Sequence, residues 1–130
     1  MRYLTDIKTP ESYIYLASPY TGTTFEQHLR YEHTKLAVAH LSQERIAVYS
    51  PIVSWHHVAH SYDLPKEATY WELMNGAFVQ QCSELWVLML LGWQDSPGVK
   101  MERDYADLLG KVIRFVYFPP EFDKLLVMED

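Results

Sequence analysis

The stretch GWQDSPGVKMERDYADLLGK, residues 92–111, places an acidic side chain where a helix needs apolar ones. Ser96 suits the N-cap of this helix and Pro97 its first turn, since both residue types are preferred there. At about 100° per residue, Glu102 then falls in the middle of the apolar half of the helix. That half otherwise consists of Val99, Met101, Tyr105, Ala106, Leu108 and Leu109.

A carboxylate at this position loses hydration, which costs several kcal/mol unless partners compensate. Burial would raise the pKa of Glu102, whereas hydrogen-bond donors and the helix N-terminus would lower it, and both charge states stay open. In the structural interpretation, Glu102 pairs with an internal tyrosine, histidine or arginine. In the functional interpretation, it is a nucleophile or acid/base directed into a pocket.

Histidines form a second group of chemically active side chains. The segment HHVAH places His56 and His60 four residues apart, the spacing of a two-ligand metal face on a helix. Because the chain has no Glu-x-x-His element and no evident third ligand, we expect no metal and no other cofactor. We interpret Trp55 and His56 as residues that line a pocket, with plain loop residues as the alternative.

Strands that alternate with helices position these residues. Strands are predicted at 13–17, 46–52, 85–90 and 112–118, and residues 53–65 as a loop or short helix. Helices are predicted at 24–45, at 66–83, and from Pro97 to a stop at Gly110. The expected apolar stripe of the first helix is Phe25, Leu29, Leu36 and His40, and that of the second is Tyr70, Met74, Ala77 and Phe78.

This alternation predicts an α/β fold in a single domain, residues 1–130. We expect an open parallel sheet of about five strands, flavodoxin-like or Rossmann-like, with helices on both faces. Open parallel sheets bind ligands beyond the carboxyl ends of their strands. Three loops therefore lie on the predicted ligand edge: 18–24, 50–60 and 92–98.

Composition excludes several classes of function. The net charge of −6 and the lack of a basic run argue against binding a nucleic-acid polymer. Cys82 is the only cysteine, so an intrachain disulfide is impossible and a reducing compartment is expected. The longest apolar stretch, LWVLMLLGW, is too short to span a bilayer, and no apolar segment of a secretory signal is evident. We expect a cytoplasmic protein with no membrane partner.

Three segments together resemble the nucleoside 2-deoxyribosyltransferases and the related 2′-deoxynucleoside 5′-monophosphate N-glycosidases. They are IYLASPYTG at the first strand, CSELWVLML at the central strand and SPGVKME at the start of the next helix. The resemblance covers about residues 13–118 and is greatest for a bacterial and phage branch of this superfamily. Its most specific element is a small or acidic residue-x-Gly-x3-Glu pattern, formed here by Ser96, Gly98 and Glu102.

The resemblance implies that Glu102 attacks the anomeric carbon of a deoxyriboside and forms a covalent glycosyl intermediate, which water or a second base resolves. It also implies that the Tyr15 hydroxyl orients Glu102. Ser96 matches a position that is aspartate in the nucleoside transferases and serine in the monophosphate hydrolases. Because serine has no negative charge to repel a phosphate, it favours a 5′-phosphorylated substrate. We further expect a substrate-binding role for Ser18, Tyr20, Thr21, Trp55, His56, Trp93 and Gly98, with Tyr20 and Trp93 stacking on the base.

Two features depart from the family pattern. Asn75 occupies the position of an aspartate that handles a proton at the leaving base, and an amide cannot act as a general acid. Glu72, Asp63 and Glu67 are alternative acids. The first loop lacks the arginine of the monophosphate hydrolases, for which Arg30 is a possible replacement.

Three functions therefore remain open: cleavage or transfer at an N-glycosidic bond, non-catalytic nucleotide binding, and a flavodoxin-like FMN carrier. The last is disfavoured because the first loop lacks a dense Ser/Thr/Gly run. The expected partners are a small nucleoside or nucleotide and further copies of the chain in a homodimer or homotetramer. The C-terminal FDKLLVMED suits either docking on another subunit or packing on its own domain, and Glu129 or Asp130 is a further candidate acid if it reaches a neighbour's pocket.

Overall fold

The computed structural model describes residues 8–118 in full, together with the backbone of two short strands near the termini. The strands are β1 (Arg2–Tyr3), β2 (Ile14–Ala17), β3 (Val48–Tyr49), β4 (Glu84–Leu88), β5 (Val112–Tyr117) and β6 (Leu126–Val127). The helices are α1 (Thr24–Gln43), α2 (Pro51–Ser61), α3 (Ala68–Gln81) and α4 (Pro97–Leu108), and a 3₁₀ turn spans Trp93–Asp95. Within this described part, no helix combines the length and the apolar composition needed to cross a bilayer.

The sheet has the strand order β1-β6-β5-β4-β2-β3. Its four central strands, β5, β4, β2 and β3, are all parallel, whereas β6 pairs antiparallel with β5 and β1 antiparallel with β6. The α/β prediction of an open parallel sheet is therefore confirmed, with the two-residue strands β1 and β6 as an antiparallel extension. The central strand β4 is apolar because four of its five residues are buried between two layers of helices.

Alternating residues of the strands enter two separate cores, as the pleat of a strand requires. On one face, Ile14, Leu16 and Trp86 pack against Ala37 and Leu41 of α1. On the other face, the core contains residues of the same strands together with residues of α3 and α4: Tyr15, Ala17, Leu85, Val87, Val79, Val99 and Ala106. Helices therefore cover both faces, as predicted, and α4 lies on the same face as Tyr15.

The predicted apolar stripe of α1 is wrong. Phe25 is 70 % exposed, Leu29 and Leu36 are also exposed, and the buried residues are instead Gln27, Tyr31, Thr34, Ala37 and Leu41. Apolar residues are distributed around this helix, so two stripes compete in the sequence. The sheet packs against the small Ala37 together with Leu41, which allows a closer approach than the bulkier stripe.

The second predicted strand is shorter than expected. Only Val48–Tyr49 pairs with β2, because the Ser50 side chain accepts a hydrogen bond from the Val53 amide and begins α2 with Pro51 in its first turn. Residues 51–61, predicted as partly strand and partly loop or short helix, are therefore helical. The C-terminal prediction concerning Phe122, Leu125 and Met128–Asp130 lies outside the described residues.

Helix α4 begins and ends where the sequence predicts. The Ser96 hydroxyl accepts a hydrogen bond from the Val99 amide at 3.3 Å, and Gly110 follows the helix with a φ of 72°. The predicted apolar half is correct for Val99 and Ala106, which are buried. It is wrong for Leu108, which is 81 % exposed although Ala106, in the same last turn, is buried.

The left-handed backbone at Gly110 gives a stability prediction. Gly110→Ala should lower the free energy of unfolding by about 1–2 kcal/mol, because a Cβ is strained at positive φ. Among the described residues, no atom beyond the two chain neighbours would lie within 4 Å of this Cβ, so steric contact does not add to the strain. Chemical denaturation measures this difference. The matched control is Gly76→Ala inside α3, where the added Cβ meets the Tyr105 ring in ordinary van der Waals contact, 3.5 Å from Cε2. Equal destabilisation by both variants would contradict the prediction.

Candidate active site

A cavity of about 660 Å³ opens beyond the carboxyl ends of the parallel strands. All three loops predicted on the ligand edge contribute to it: Ser18, Tyr20 and Thr21 from the first, Trp55 and His56 from the second, and Ser96 and Gly98 from the third. Helices α3 and α4 complete the lining with Trp71, Glu72, Asn75, Met101, Glu102 and Tyr105. The structure thus brings most of the predicted site residues together around one cavity.

Glu102 lines this cavity and forms a hydrogen bond with Tyr15, which is absent from the lining. Tyr15 is fully buried in β2, and its hydroxyl donates to Glu102 Oε2. Glu102 is only 9 % exposed, on the face of α4 that packs against the sheet. The predicted contact between the two side chains is therefore present. It arises because α4 crosses the same sheet face on which Tyr15 lies.

Burial decides the charge state that the sequence left open. It raises the pKa of Glu102 from 4.5 to about 8, and the hydrogen bond from Tyr15 lowers it only in part. Burial, and to a smaller extent the neighbouring Glu102, raises the pKa of Tyr15 well above 10. The phenol therefore keeps its proton and remains a hydrogen-bond donor. The free protein at neutral pH therefore holds Glu102 mostly protonated, and a small ionised fraction is stabilised by Tyr15.

The start of α4 forms a second part of the lining. Ser96 is buried and its hydroxyl caps the helix, so the predicted N-cap role is confirmed at a residue that also borders the cavity. A Cβ on Gly98 would meet Ala68 Cβ at 3.7 Å, which shows that the first turns of α3 and α4 lie side by side. Lys66, just before α3, is the only lysine or arginine among the described residues of the lining.

Asn75, the position at which the resemblance implies an aspartate, lines the cavity from α3. Its Oδ1 atom is buried and has no hydrogen-bond partner within the described residues. A buried acceptor without a donor costs about 1–3 kcal/mol, so this atom suits a ligand that presents an N–H or O–H group. Of the alternative acids, Glu72 borders the cavity, whereas Asp63 and Glu67 are absent from the lining.

Tyr20 joins the two histidines whose spacing resembled a metal face. Its hydroxyl lies 2.7 Å from His56 Nδ1 and 3.1 Å from His60 Nε2. His56 is 5 % exposed and stacks on Tyr31 with ring centroids 4.4 Å apart. Burial, and to a smaller extent the neighbouring His60, lowers the pKa of His56 to about 4, so its imidazole is neutral at pH 7. Burial also raises the pKa of Tyr20 to about 12.

The aromatic predictions are half right. Trp55 lines the cavity, and its indole N–H donates to the Tyr49 hydroxyl at 2.8 Å. Trp93 is absent from the lining, which contradicts the prediction that it stacks on a base. The 3₁₀ turn directs its ring onto Phe115, with centroids 5.3 Å apart, and the Arg103 guanidinium covers it.

Trp71 is an aromatic lining residue that sequence reasoning missed. It lies 5.6 Å from the Trp55 ring and donates to the Pro65 carbonyl. The sequence could have indicated Trp71 only through its position on α3, outside the predicted apolar stripe.

Arg30 occupies a different place from the suggested phosphate site. Its guanidinium donates to the carbonyls of Thr21 and Leu91, which ties the first loop to the chain after β4.

The raised pKa of Glu102 predicts a pH-dependent gain in stability for Glu102→Gln. Between pH 4.5 and about 8 the folded protein keeps a proton that the unfolded chain has released, so the wild-type protein loses stability as pH rises through this window. The variant should match the wild type near pH 4 and exceed it by a few kcal/mol at pH 9, since one pKa unit corresponds to about 1.4 kcal/mol.

Denaturant unfolding at both pH values measures this gain. Glu72→Gln, at an exposed carboxylate of the same cavity, is the matched control and should differ from the wild type by less than about 0.5 kcal/mol at either pH. A gain for Glu102→Gln that is the same at pH 4 and pH 9 would mean that burial does not perturb this carboxyl group.

Comparison with known proteins adds family membership. No protein with a curated description matches the chain significantly. Residues 12–117 match the family model described as "Domain of unknown function (DUF1937)". This match includes the strand with Tyr15, the helix with Asn75 and the helix with Glu102. Since it covers well over half of the 130 residues, the chain belongs to the DUF1937 family.

Proposed function

We propose that the protein cleaves or transfers at the N-glycosidic bond of a nucleoside, deoxynucleoside or nucleoside 5′-monophosphate through a covalent glycosyl-Glu102 intermediate. The observation that carries this proposal is the buried Glu102 carboxyl group, which lines the 660 Å³ cavity and is held by a hydrogen bond from Tyr15. A carboxyl group on a capped helix is held more rigidly than one on a loop, and attack on a sugar carbon requires such positioning.

In the first step, ionised Glu102 attacks the anomeric carbon, and the glycosidic electron pair leaves with the base. The ester intermediate is then opened by water in a hydrolase or by a second base in a transferase. Tyr15 donates to the carboxylate and fixes its orientation. The desolvated carboxylate is the stronger nucleophile because water does not compete for its charge.

The lining of the cavity supports a nucleotide-sized ligand. A volume of about 660 Å³ lies within the usual range of small-molecule sites, about 300–1,000 Å³. Trp55, Trp71 and Tyr20 offer aromatic surface to a base. Ser96 in place of a carboxylate, together with the positive charge of Lys66, favours a substrate with a 5′-phosphate.

A non-catalytic nucleotide-binding module is the second candidate function. Asn75 in the place of an acid favours it, as does the neutral state of Glu102 in the free protein at pH 7. Both functions share the ligand class and differ in whether base is released. We keep the expectation of a homodimer or homotetramer, in which a neighbouring subunit closes the open side of the cavity, as part of this proposal.

Base release is the first test. Purified protein is incubated with a panel of nucleosides, deoxynucleosides and their 5′-monophosphates, and free base is measured chromatographically. We expect release from at least one member, and a loss of at least about 10³-fold in Glu102→Ala and Glu102→Gln. A 2-fluoro-deoxyriboside should leave a sugar adduct on the peptide that contains Glu102. Binding of a panel member without release of base would favour the non-catalytic module.

The pH dependence of kcat/KM is the second test. If ionised Glu102 is the nucleophile, kcat/KM should rise about tenfold per pH unit below a pKa of about 8 and level off above it. Tyr49→Phe, which removes only the hydroxyl group that accepts a hydrogen bond from Trp55, is the control and should keep the same profile. A kcat/KM that falls above pH 8 would assign Glu102 the role of an acid and contradict the nucleophile.

A further inference from the structure

A leaving base needs a proton, and the position expected to supply it holds Asn75. The amide has no acidic proton to give. Another titratable system borders the same cavity from α2 and the first loop: the chain of hydrogen bonds that links His56, Tyr20 and His60. We propose that this chain is a proton relay, in which His56 protonates the leaving base while Tyr20 and His60 resupply His56. This inference rests on the proposed function.

The geometry of the chain restricts its proton positions. Tyr20 has one hydroxyl proton and lies within hydrogen-bond distance of two ring nitrogens, His56 Nδ1 at 2.7 Å and His60 Nε2 at 3.1 Å. The phenol can donate to only one of them, so the other ring must donate its N–H to the phenol oxygen. In one of the two arrangements, His60 Nε2–H donates to the Tyr20 oxygen, and the Tyr20 hydroxyl donates to His56 Nδ1. His56 then carries its ring proton on Nε2.

His56 is placed to deliver that proton. Its ring is fixed by Tyr20 on one edge and by the stacked Tyr31 on one face, 4.4 Å away. Within the described residues no hydrogen bond engages Nε2, and His56 lines the cavity that contains Glu102. A buried ring with an unengaged N–H suits a ligand acceptor, and the ring nitrogens of a nucleobase are such acceptors.

The proton transfers balance. As the glycosidic bond breaks, its electron pair remains on the base nitrogen, and the base takes the proton from His56 Nε2. His56 Nδ1 then takes the hydroxyl proton of Tyr20, and the Tyr20 oxygen takes the Nε2 proton of His60. His60 is partly exposed and recovers a proton from water at Nδ1. The reverse transfers accept a proton from the water or base that opens the glycosyl ester.

Glu72 is the rival acid in the cavity. Its side chain is exposed, and within the described part of the chain no hydrogen bond orients it. The relay differs in both respects, since His56 is buried and held on two sides. Proton delivery along a fixed direction favours the oriented donor over the free one.

Leaving-group dependence tests the relay. Tyr20→Phe and His60→Asn interrupt the chain but leave the stacked His56 in place. Each variant is assayed with the substrate found in the base-release screen and with its activated analogue. The analogue carries an N7-methylated purine, which leaves as a neutral molecule without a proton, or a 5-fluorinated pyrimidine, which is a better leaving group. The control is His33→Asn, at an exposed histidine of α1.

We expect kcat for the ordinary substrate to fall about 100-fold in Tyr20→Phe and at least about tenfold in His60→Asn, with changes below about threefold for the activated analogue. His33→Asn should match the wild type on both. Equal losses on both substrates would show that the chain is only structural. If Glu72→Gln lost activity only on the ordinary substrate while Tyr20→Phe kept it, the general acid would be Glu72 and not the histidine chain.

The same assay separates the two levels of the proposal. If the wild type releases base but Tyr20→Phe behaves like His33→Asn, the relay is wrong and the glycosidic chemistry remains. If the wild type releases no base from ordinary or activated substrates, the proposed function is wrong, and the relay falls with it.

Discussion

The buried hydrogen bond between Tyr15 and Glu102 is the interaction on which the site depends. It joins the first parallel strand to the helix that follows the central strand, so it forms only when β2, β4 and α4 are packed together. Removing the carboxyl group from water costs several kcal/mol, which the single phenol donor offsets only in part. A group that destabilises its own core in this way is typical of sites where function outweighs stability.

Burial shifts the two titratable systems of the cavity in opposite directions. It raises the pKa of Glu102 to about 8 and lowers the pKa of His56 to about 4, because in both cases the neutral form is favoured. At pH 7 both Glu102 and His56 are therefore mostly neutral, and the remaining acidic and basic side chains of the lining are Glu72 on α3 and Lys66 just before α3. This distribution suits a ligand with a neutral base and sugar and a negative group at one end.

Local signals predicted much of this structure. The Ser-Pro start of α4 and the apolar run of β4 act through backbone geometry and burial, which neighbouring residues largely decide. The parallel order then placed three loops and Tyr15 beside Glu102. The stripe of α1 and the orientation of Trp93 were predicted wrongly, because several packings of these residues satisfy the same local pattern and distant partners select one.

The histidine chain shows most clearly what spacing alone leaves undetermined. His56 and His60, four residues apart on a helix, are compatible with a shared metal ion or with a shared hydrogen-bond partner. The choice depends on Tyr20, which lies 36 residues before His56 and reaches both rings only after α1 has packed against α2. A short segment of sequence around the two histidines does not include Tyr20, so their spacing alone could not reveal the shared partner.

In the proposed function, Asn75 and the histidine chain divide a task for which the resemblance to the nucleoside 2-deoxyribosyltransferases implies a single aspartate. An aspartate would both bind the base edge and supply the proton. The buried Oδ1 of Asn75 has no hydrogen-bond partner among the described residues. It suits only the first of these roles, binding of the base edge, because it accepts a hydrogen bond but gives no proton. In the relay that we propose, the proton comes instead from His56, whose ring lines the cavity and is oriented by Tyr20. Under this proposal, the amide recognises the base at any pH, and the supply of protons depends on the hydrogen-bond chain that ends at the partly exposed His60.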